Sequence, residues 1–308
     1  MDWGLGHATR CIPVVRYLIE NGCEVTIAAS GATALLLKNN FPDIPQIPLP
    51  GYNITYSRRG GTFVLKILAQ IPKILLAIRR ERQWLRNIQA ARHFDLVISD
   101  NRYGLKINAL KSVIMTHQLQ VITGFGDRAD AMLQRMHYRI LEKFDACWIV
   151  DAEANGGLAG MLSHPSRIPS NATYLGLLSQ LRGPASPAPG QPEQILILLS
   201  GPEPARSLLE KQLLAQITNI DEYHFHLIAG NPAGRVPGHL PAHVTYATHA
   251  NADDLAVALA AARLVICRSG YSTLMDLVFF EKKHCLSPRR GNRSRNIWPA
   301  IYWQKASR

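Results

Sequence analysis

Short apolar runs alternate along this chain with longer stretches whose apolar residues recur every three or four positions. Residues 12–19 (IPVVRYLI) have helical spacing and stop at Asn21-Gly22, where glycine suits the left-handed turn of a helix end. Glu24 to Ala29 reads as a short buried strand, 32–39 as a helix and Pro42 to Pro50 as a proline-rich passage. Residues 63–78 are strongly apolar and run into Arg79-Arg80-Glu81-Arg82; Pro72 argues against one continuous helix there. Asp95 to Ser99, Val113 to Thr116 and Ala146 to Val150 read as buried strands, with a helix over 128–143. Helices alternating with short apolar strands predict βαβ units on a parallel sheet.

The rhythm breaks over 178–193, where Gly183-Pro184-Ala185-Ser186-Pro187-Ala188-Pro189-Gly190 has the composition of a linker. A second series follows. Its strands are expected at Ile195–Leu199, Phe225–Ala229, Val244–Tyr246 and Leu264–Cys267, and its helix at Asp253–Ala262. The expected fold is therefore α/β, with two Rossmann-like domains facing across a cleft. Residues 1–177 form the first, 178–193 the linker and 194–288 the second. Both read as incomplete. The first opens on the loop that should follow a strand, and the second has only about four strands. A central strand missing from the first sheet would leave unpaired edges or an apolar groove.

Composition agrees with two packed domains. Of 308 residues, 47% are apolar and 18% charged, enough to bury two cores. No apolar stretch is long enough to span a bilayer, and residues 1–4 show no signal-peptide pattern. The cysteines number five, with no C-x-x-C pair, which fits a reducing cytosol better than a disulfide framework or zinc site. The net charge of +12 suggests nucleic acid until it is located. Arg289, Arg290, Arg293, Arg295, Lys305 and Arg308 supply +6 within 289–308, where no acid offsets them. The remainder carries no basic stripe and no nucleic-acid motif, so nucleic-acid binding is not expected.

Three glycine-bearing turns could carry chemistry. Gly4-Leu5-Gly6-His7-Ala8-Thr9-Arg10 leads into a helix, where backbone N–H groups can meet an anion and His7 could act as a base. A plain tight turn has the same pattern. Ser200-Gly201-Pro202-Glu203-Pro204, after the ILILL strand, suits a phosphate cradle or an ordinary βα turn. Arg268-Ser269-Gly270-Tyr271-Ser272-Thr273 sets a cation, a glycine and hydroxyls at a third helix start, with Asp276 further in. Arg268 and the N–H groups suit a diphosphate, and Asp276 suits ribose hydroxyls, or else a cap or a solvated face. Lys66, Lys73, Arg79, Arg80 and Arg82 around the apolar 63–82 segment suit a membrane surface as well as a core helix. Asp100, His117, His224, His226, His249 and Asp253-Asp254 lack metal-ligand spacing and read as structural or surface residues.

Together, Gly4 to Arg10 and the stretch from Asp253 to Asp276 (DDLAVALAAARLVICRSGYSTLMD) resemble the GT-B glycosyltransferases. The likeness is to family 28 and the family-1-like bacterial enzymes, the group of the lipid II N-acetylglucosaminyltransferase. The resemblance implies an inverting, metal-independent transfer from a nucleotide sugar, usually a UDP-sugar, to a hydroxyl or lipid-linked acceptor, with no cofactor. It implies a bacterial cytoplasmic enzyme of envelope glycan synthesis, peripheral to the membrane if residues 63–82 touch lipid. His7 would be the base. Ser200 and Gly201 would lie near the diphosphate, Arg268, Gly270, Ser272 and Thr273 would form the donor loop, and Asp276 would stand where the family has a ribose-binding acid, usually Glu. Gly4 and Gly6 would shape the first loop. A GT-B UDP-sugar 2-epimerase or a non-catalytic sugar-nucleotide-binding remnant are the alternatives. An epimerase is expected to carry further acids and a histidine around the sugar, and no such set is evident.

After Pro288 the family continues with a Pro-Gly-Gln-x-x-Gln-like segment that recognises the donor sugar. Here the residues are Arg289-Arg290-Gly291-Asn292-Arg293-Ser294-Arg295-Asn296. Back-translated from the third base of each codon, beginning in Pro288, they can encode Thr-Pro-Gly-Gln-Pro-Glu-Gln-Glu. This compatibility predicts that 289–308 are an out-of-frame tail with no packed structure and that transfer is impaired.

Overall fold

The computed structural model describes residues 5–49, 63–121, 126–182, 194–201, 203–231, 234–282 and 284–287; residues 5, 63–71 and 285–287 are described as main chain alone. Gly4, residues 183–193 of the expected linker and the expected out-of-frame tail lie outside the described residues. The chain divides into two compact units, Met1–Leu178 and Ser179–Arg308.

The first unit begins with α1 (Leu5–Glu20), β1 (Ile27–Ala29), α2 (Gly31–Asn40) and β2 (Gln46–Pro48). Ala8, Ile12 and Val15 recur at helical spacing and pack α1 on Ile27, Ala29, Leu37 and Phe41. The helix stops where the sequence predicts. Gly22 has φ +76°, and its N–H and that of Cys23 reach back to the carbonyls of Ile19 and Leu18. The strand expected over 24–29 is cut to three residues, the length of its parallel partner β2. Next comes α3 (Phe63–Ala91), which runs through Pro72 and corrects the expected break. A proline forfeits its own N–H bond, and the long flanks of apolar, Arg and Gln residues carry the helix past it. Leu75 and Leu76 are exposed on α3, and among the described residues no helix is long and apolar enough to cross a membrane.

A four-stranded parallel sheet completes this unit. It is built from β3 (Leu96–Asp100), β4 (Lys111–Thr116), β5 (Ala146–Ile149) and β6 (Ala172–Tyr174) in that order, with α4 (Asp127–Leu141) crossing from β4 to β5. β4 is buried from its second residue on, as a strand covered on both faces should be. A buried ion pair from Arg102 Nε to Glu81 Oε1 ties the loop after β3 to α3.

Among its described residues the second unit forms one five-stranded parallel sheet. It comprises β7 (Gln194–Leu198), α5 (Ala205–Ile217), β8 (His224–Ile228), β9 (Val244–Ala247), α6 (Ala252–Ala261), β10 (Ala262–Arg268), α7 (Tyr271–Phe279) and β11 (His284–Ser287). The strand order is β11-β10-β7-β8-β9, so β11 is one strand more than the four expected. From β7 the chain builds outward through β8 and β9, then crosses back to lay β10 on the other side of β7. The gap between the C-terminal ends of β7 and β10 is the topological switch point, where ligands of such sheets bind.

Candidate functional site

Each unit gathers part of the expected chemistry. In the first, α1 starts beside the C-terminal ends of β3 and β4. His7 Nδ1 lies 2.9 Å from Asp100 Oδ2, at the end of β3. Arg10, one helical turn on and 3% exposed, donates from Nε to Asp100 Oδ2 at 2.9 Å and from Nη2 to Asp100 Oδ1. Its Nη1 meets His117 Nδ1 at 2.8 Å, and its Nη2 comes within 2.8 Å of His7 Nδ1. Asp100, expected to be a structural or surface residue, is thus brought to His7 and Arg10, and His117, of which the same was expected, to Arg10. Both follow directly on predicted strands (DLVIS and VIMT), and a polar residue at a parallel strand's C-terminal end was the signal that could have found them.

Burial alone would raise the Asp100 carboxyl. The charges of Arg10 and His7 and their hydrogen bonds outweigh it and hold Asp100 well below the usual carboxylate range. Asp100 is therefore an anion at neutral pH. His7 Nδ1 thus faces both an acceptor, Asp100 Oδ2, and a donor, Arg10 Nη2: a ring proton on Nδ1 donates to Asp100, whereas a proton on Nε2 leaves Nδ1 to accept from Arg10. The neighbouring Cys11 thiol is pushed up to about 12, first by burial and then by Asp100, so it remains a thiol. Gly6, half-buried, accepts from Thr9 Oγ1 through its carbonyl at 3.0 Å.

In the second unit the two expected loops converge at the switch point. Arg268, at the end of β10, donates from Nη1 to the carbonyl of Ser200, just past β7, at 2.8 Å. Gly270 lies so close that a Cβ built on it would stand 3.7 Å from Ser200 Oγ and 3.4 Å from Thr273 Oγ1. Gly201 has φ +104°, a conformation that suits glycine. Ser272 and Thr273 are half-buried in the first turn of α7, whose cap residue, Gly270, makes no side-chain cap bond. The start of α5 differs: Glu203 Oε2 accepts from Ser207 N at 3.3 Å, and Arg206 pairs with Glu203 and Glu210. Of these two helix starts, α5 already holds a carboxylate and α7 does not. Ser269 Oγ is buried without a hydrogen-bond partner among the described residues, beside this turn.

Asp276 is 4% exposed, and its Oδ1 accepts from Ser179 Oγ at 2.6 Å. It is neither a cap nor part of a solvated face. Burial raises its carboxyl to about 7 against the hydrogen bonds of Ser179 and Gln180. The contact with Ser179 was not legible in the sequence, because 97 positions separate the pair.

No protein-family model and no curated protein sequence matches the chain. Solved structures do. The kitacinnamycin glycosyltransferase is 14% identical, with a TM-score of 0.66 over 96% of this chain and 81% of its own. MurG of Acinetobacter baumannii is 15% identical, with a TM-score of 0.56 over 97% and 80%. SsfS6 of Streptomyces sp. SF2575, in complex with thymidine diphosphate, is 12% identical, with a TM-score of 0.59 over 97% and 82%. The likeness is one of fold: this chain has the parallel α/β architecture of the GT-B glycosyltransferases.

Proposed function

We propose that the chain moves a sugar from a nucleoside-diphosphate donor, a UDP-sugar, to a hydroxyl acceptor, with inversion at the anomeric carbon and without a metal. The observation that carries this reading is the meeting of Arg268, the Ser200-Gly201 turn and the start of α7, which no side chain caps, at the switch point of the second sheet. A diphosphate needs N–H donors and a fixed cation where negative charge grows, and these groups supply both. The thymidine diphosphate held by SsfS6 supports a nucleotide in this fold.

His7 is the proposed base. Asp100 holds its Nδ1–H, so Nε2 takes the proton of the acceptor hydroxyl as that oxygen attacks the anomeric carbon. The bond from the anomeric carbon to the diphosphate oxygen breaks, and UDP leaves with the electron pair. Arg268 and the N–H groups of α7 stabilise that departing charge. Asp276 is the proposed ribose partner, with a nucleotide hydroxyl replacing Ser179 Oγ on its carboxyl. The test is the release of free UDP from candidate UDP-sugars with and without an acceptor alcohol. Release that depends on the acceptor supports transfer. Interconversion of the donor sugar indicates an epimerase, and UDP binding without turnover a non-catalytic module.

A further inference from the structure

Asp100 closes β3, and the next residue, Asn101, has φ +52°. A positive φ is uncommon outside glycine, and it persists where the surrounding structure enforces it. Asn101 is buried, so the enforcement comes from protein rather than solvent. Asp100 and Asn101 share a peptide. What fixes the turn at Asn101 therefore also fixes how the Asp100 carboxyl leaves the strand.

Three ties hold this turn. Asn101 N donates to the carbonyl of Met115, on β4, at 3.1 Å. Ser99 Oγ accepts from Arg102 N at 3.2 Å and donates to Arg102 O at 2.7 Å, closing residues 99–102 on themselves. The third tie comes from α3. Glu81 accepts through Oε1 from Arg102 Nε and through Oε2 from Gly104 N at 3.0 Å, so one carboxylate grips two points of the segment just past the turn. The approach is close. A Cβ built on Gly104 would lie 2.5 Å from Glu81 Cβ and 2.6 Å from the carbonyl oxygen of Ile78.

Glu81 is the only acid in the sequence of α3, which carries Lys66, Lys73, Arg79, Arg80, Arg82 and Arg86. Glu81 and Arg102 are both buried. A buried ion pair adds little net stability over apolar packing of the same volume. Its charge-assisted bonds do impose a defined geometry, and here that geometry is applied two residues from Asp100.

We infer that Glu81 is a positioning residue for the His7–Asp100 pair. By holding Arg102 and Gly104 it sets the turn at Asn101, and through that turn the Asp100 carboxyl that faces His7 Nδ1. The inference rests on the reading of His7 as the base. A base displaced by about 1 Å loses on the order of 10²-fold in rate, which is what such a clamp prevents.

The test perturbs the clamp in the full chain in two independent ways. Gly104→Ala leaves both charges in place and pushes the segment off α3. Glu81→Gln/Arg102→Leu removes both charges together, so neither is left buried without the other. Leu85→Ala, a buried truncation one helical turn further along α3, is the control. Ring-nitrogen NMR reads the His7 tautomer without substrate. The neutral ring of the parent should carry its proton on Nδ1. In both clamp variants the ratio of Nδ1–H to Nε2–H should fall about tenfold, as for a lost hydrogen bond to a charged group. Turnover should fall about 10- to 10²-fold with UDP affinity unchanged. Leu85→Ala should lower the thermal midpoint by at least about 4 °C and leave both the tautomer ratio and turnover as in the parent. An unchanged ratio in the clamp variants, shown folded by circular dichroism, overturns the proposal while leaving the base reading intact. The same change of ratio in Leu85→Ala also overturns it, because the effect is then one of general stability. A parent ring that already carries its proton on Nε2 overturns the base reading itself, and this proposal with it.

Discussion

His7 Nδ1 stands 2.9 Å from Asp100 Oδ2, across 93 positions of sequence. In the proposed mechanism Asp100 holds the Nδ1–H tautomer, which leaves Nε2 to serve as the base. Replacing His7 by Ala should lower turnover by about 10²- to 10⁴-fold, the usual worth of a positioned base, with UDP affinity unchanged. Acceptor-dependent UDP release and calorimetry read the two quantities separately. A loss of UDP affinity in step with turnover would count against a base role.

Asp100 serves Arg10 as well as His7. Asp100→Asn should cost about 3–5 kcal/mol of stability, because it leaves the 3%-exposed Arg10 without its counter-charge. Denaturant unfolding measures this directly. The double variant Arg10→Met/Asp100→Asn should regain part of the loss, since the buried guanidinium that Asp100 faces is then gone as well.

Asp276 should make stability depend on pH. Its carboxyl is raised by burial to about 7, so the folded chain holds a proton that the unfolded chain releases near pH 4. The corresponding stability is fully present below pH 4 and is lost as pH rises through 7. Asp276→Asn removes the ionisation. The variant should therefore lose less stability than the parent between pH 5 and pH 8, by a few kcal/mol at about 1.36 kcal/mol per unit. Parallel stability curves for the two chains would contradict this.

Gly230 guards the turn that holds Ser200. It has φ +66°, and a Cβ there would lie 2.3 Å from the carbonyl oxygen of Leu199. Gly230→Ala should destabilise the second unit by more than about 1 kcal/mol and weaken UDP binding by shifting the Ser200 backbone. The thermal midpoint and UDP titration give the two readouts.

The sequence made the elements legible where their signals were strong. The DLVIS, VIMT and ILILL runs appear as β3, β4 and β7 within a residue or two, because short uninterrupted apolar runs are the local signal of parallel-sheet strands. β2 and β6 have only three residues each, too few for a period to show. Pro72 misled, because its cost was outweighed by a long helix on either side. In the second unit, Ser200 and Arg268 could be picked out singly as residues following apolar strands. Their contact depends on β10 lying beside β7, and strand order is not written in local pattern. In the first unit, Arg10 was read only as the end of a glycine motif. Its bridging of Asp100 and His117 needs α1 laid against two strand ends, an arrangement set by tertiary packing.

The central claim is that the switch point of the second sheet binds a nucleoside diphosphate through Arg268 and the start of α7. Titration of UDP into the full chain and into Arg268→Glu, with matching circular dichroism and thermal midpoints as the check on folding, tests it most directly. The account predicts that UDP binds the parent chain and that the variant binds it about 1–3 kcal/mol more weakly, the worth of a lost charge-assisted contact. Equal UDP affinity in two equally folded chains would contradict it.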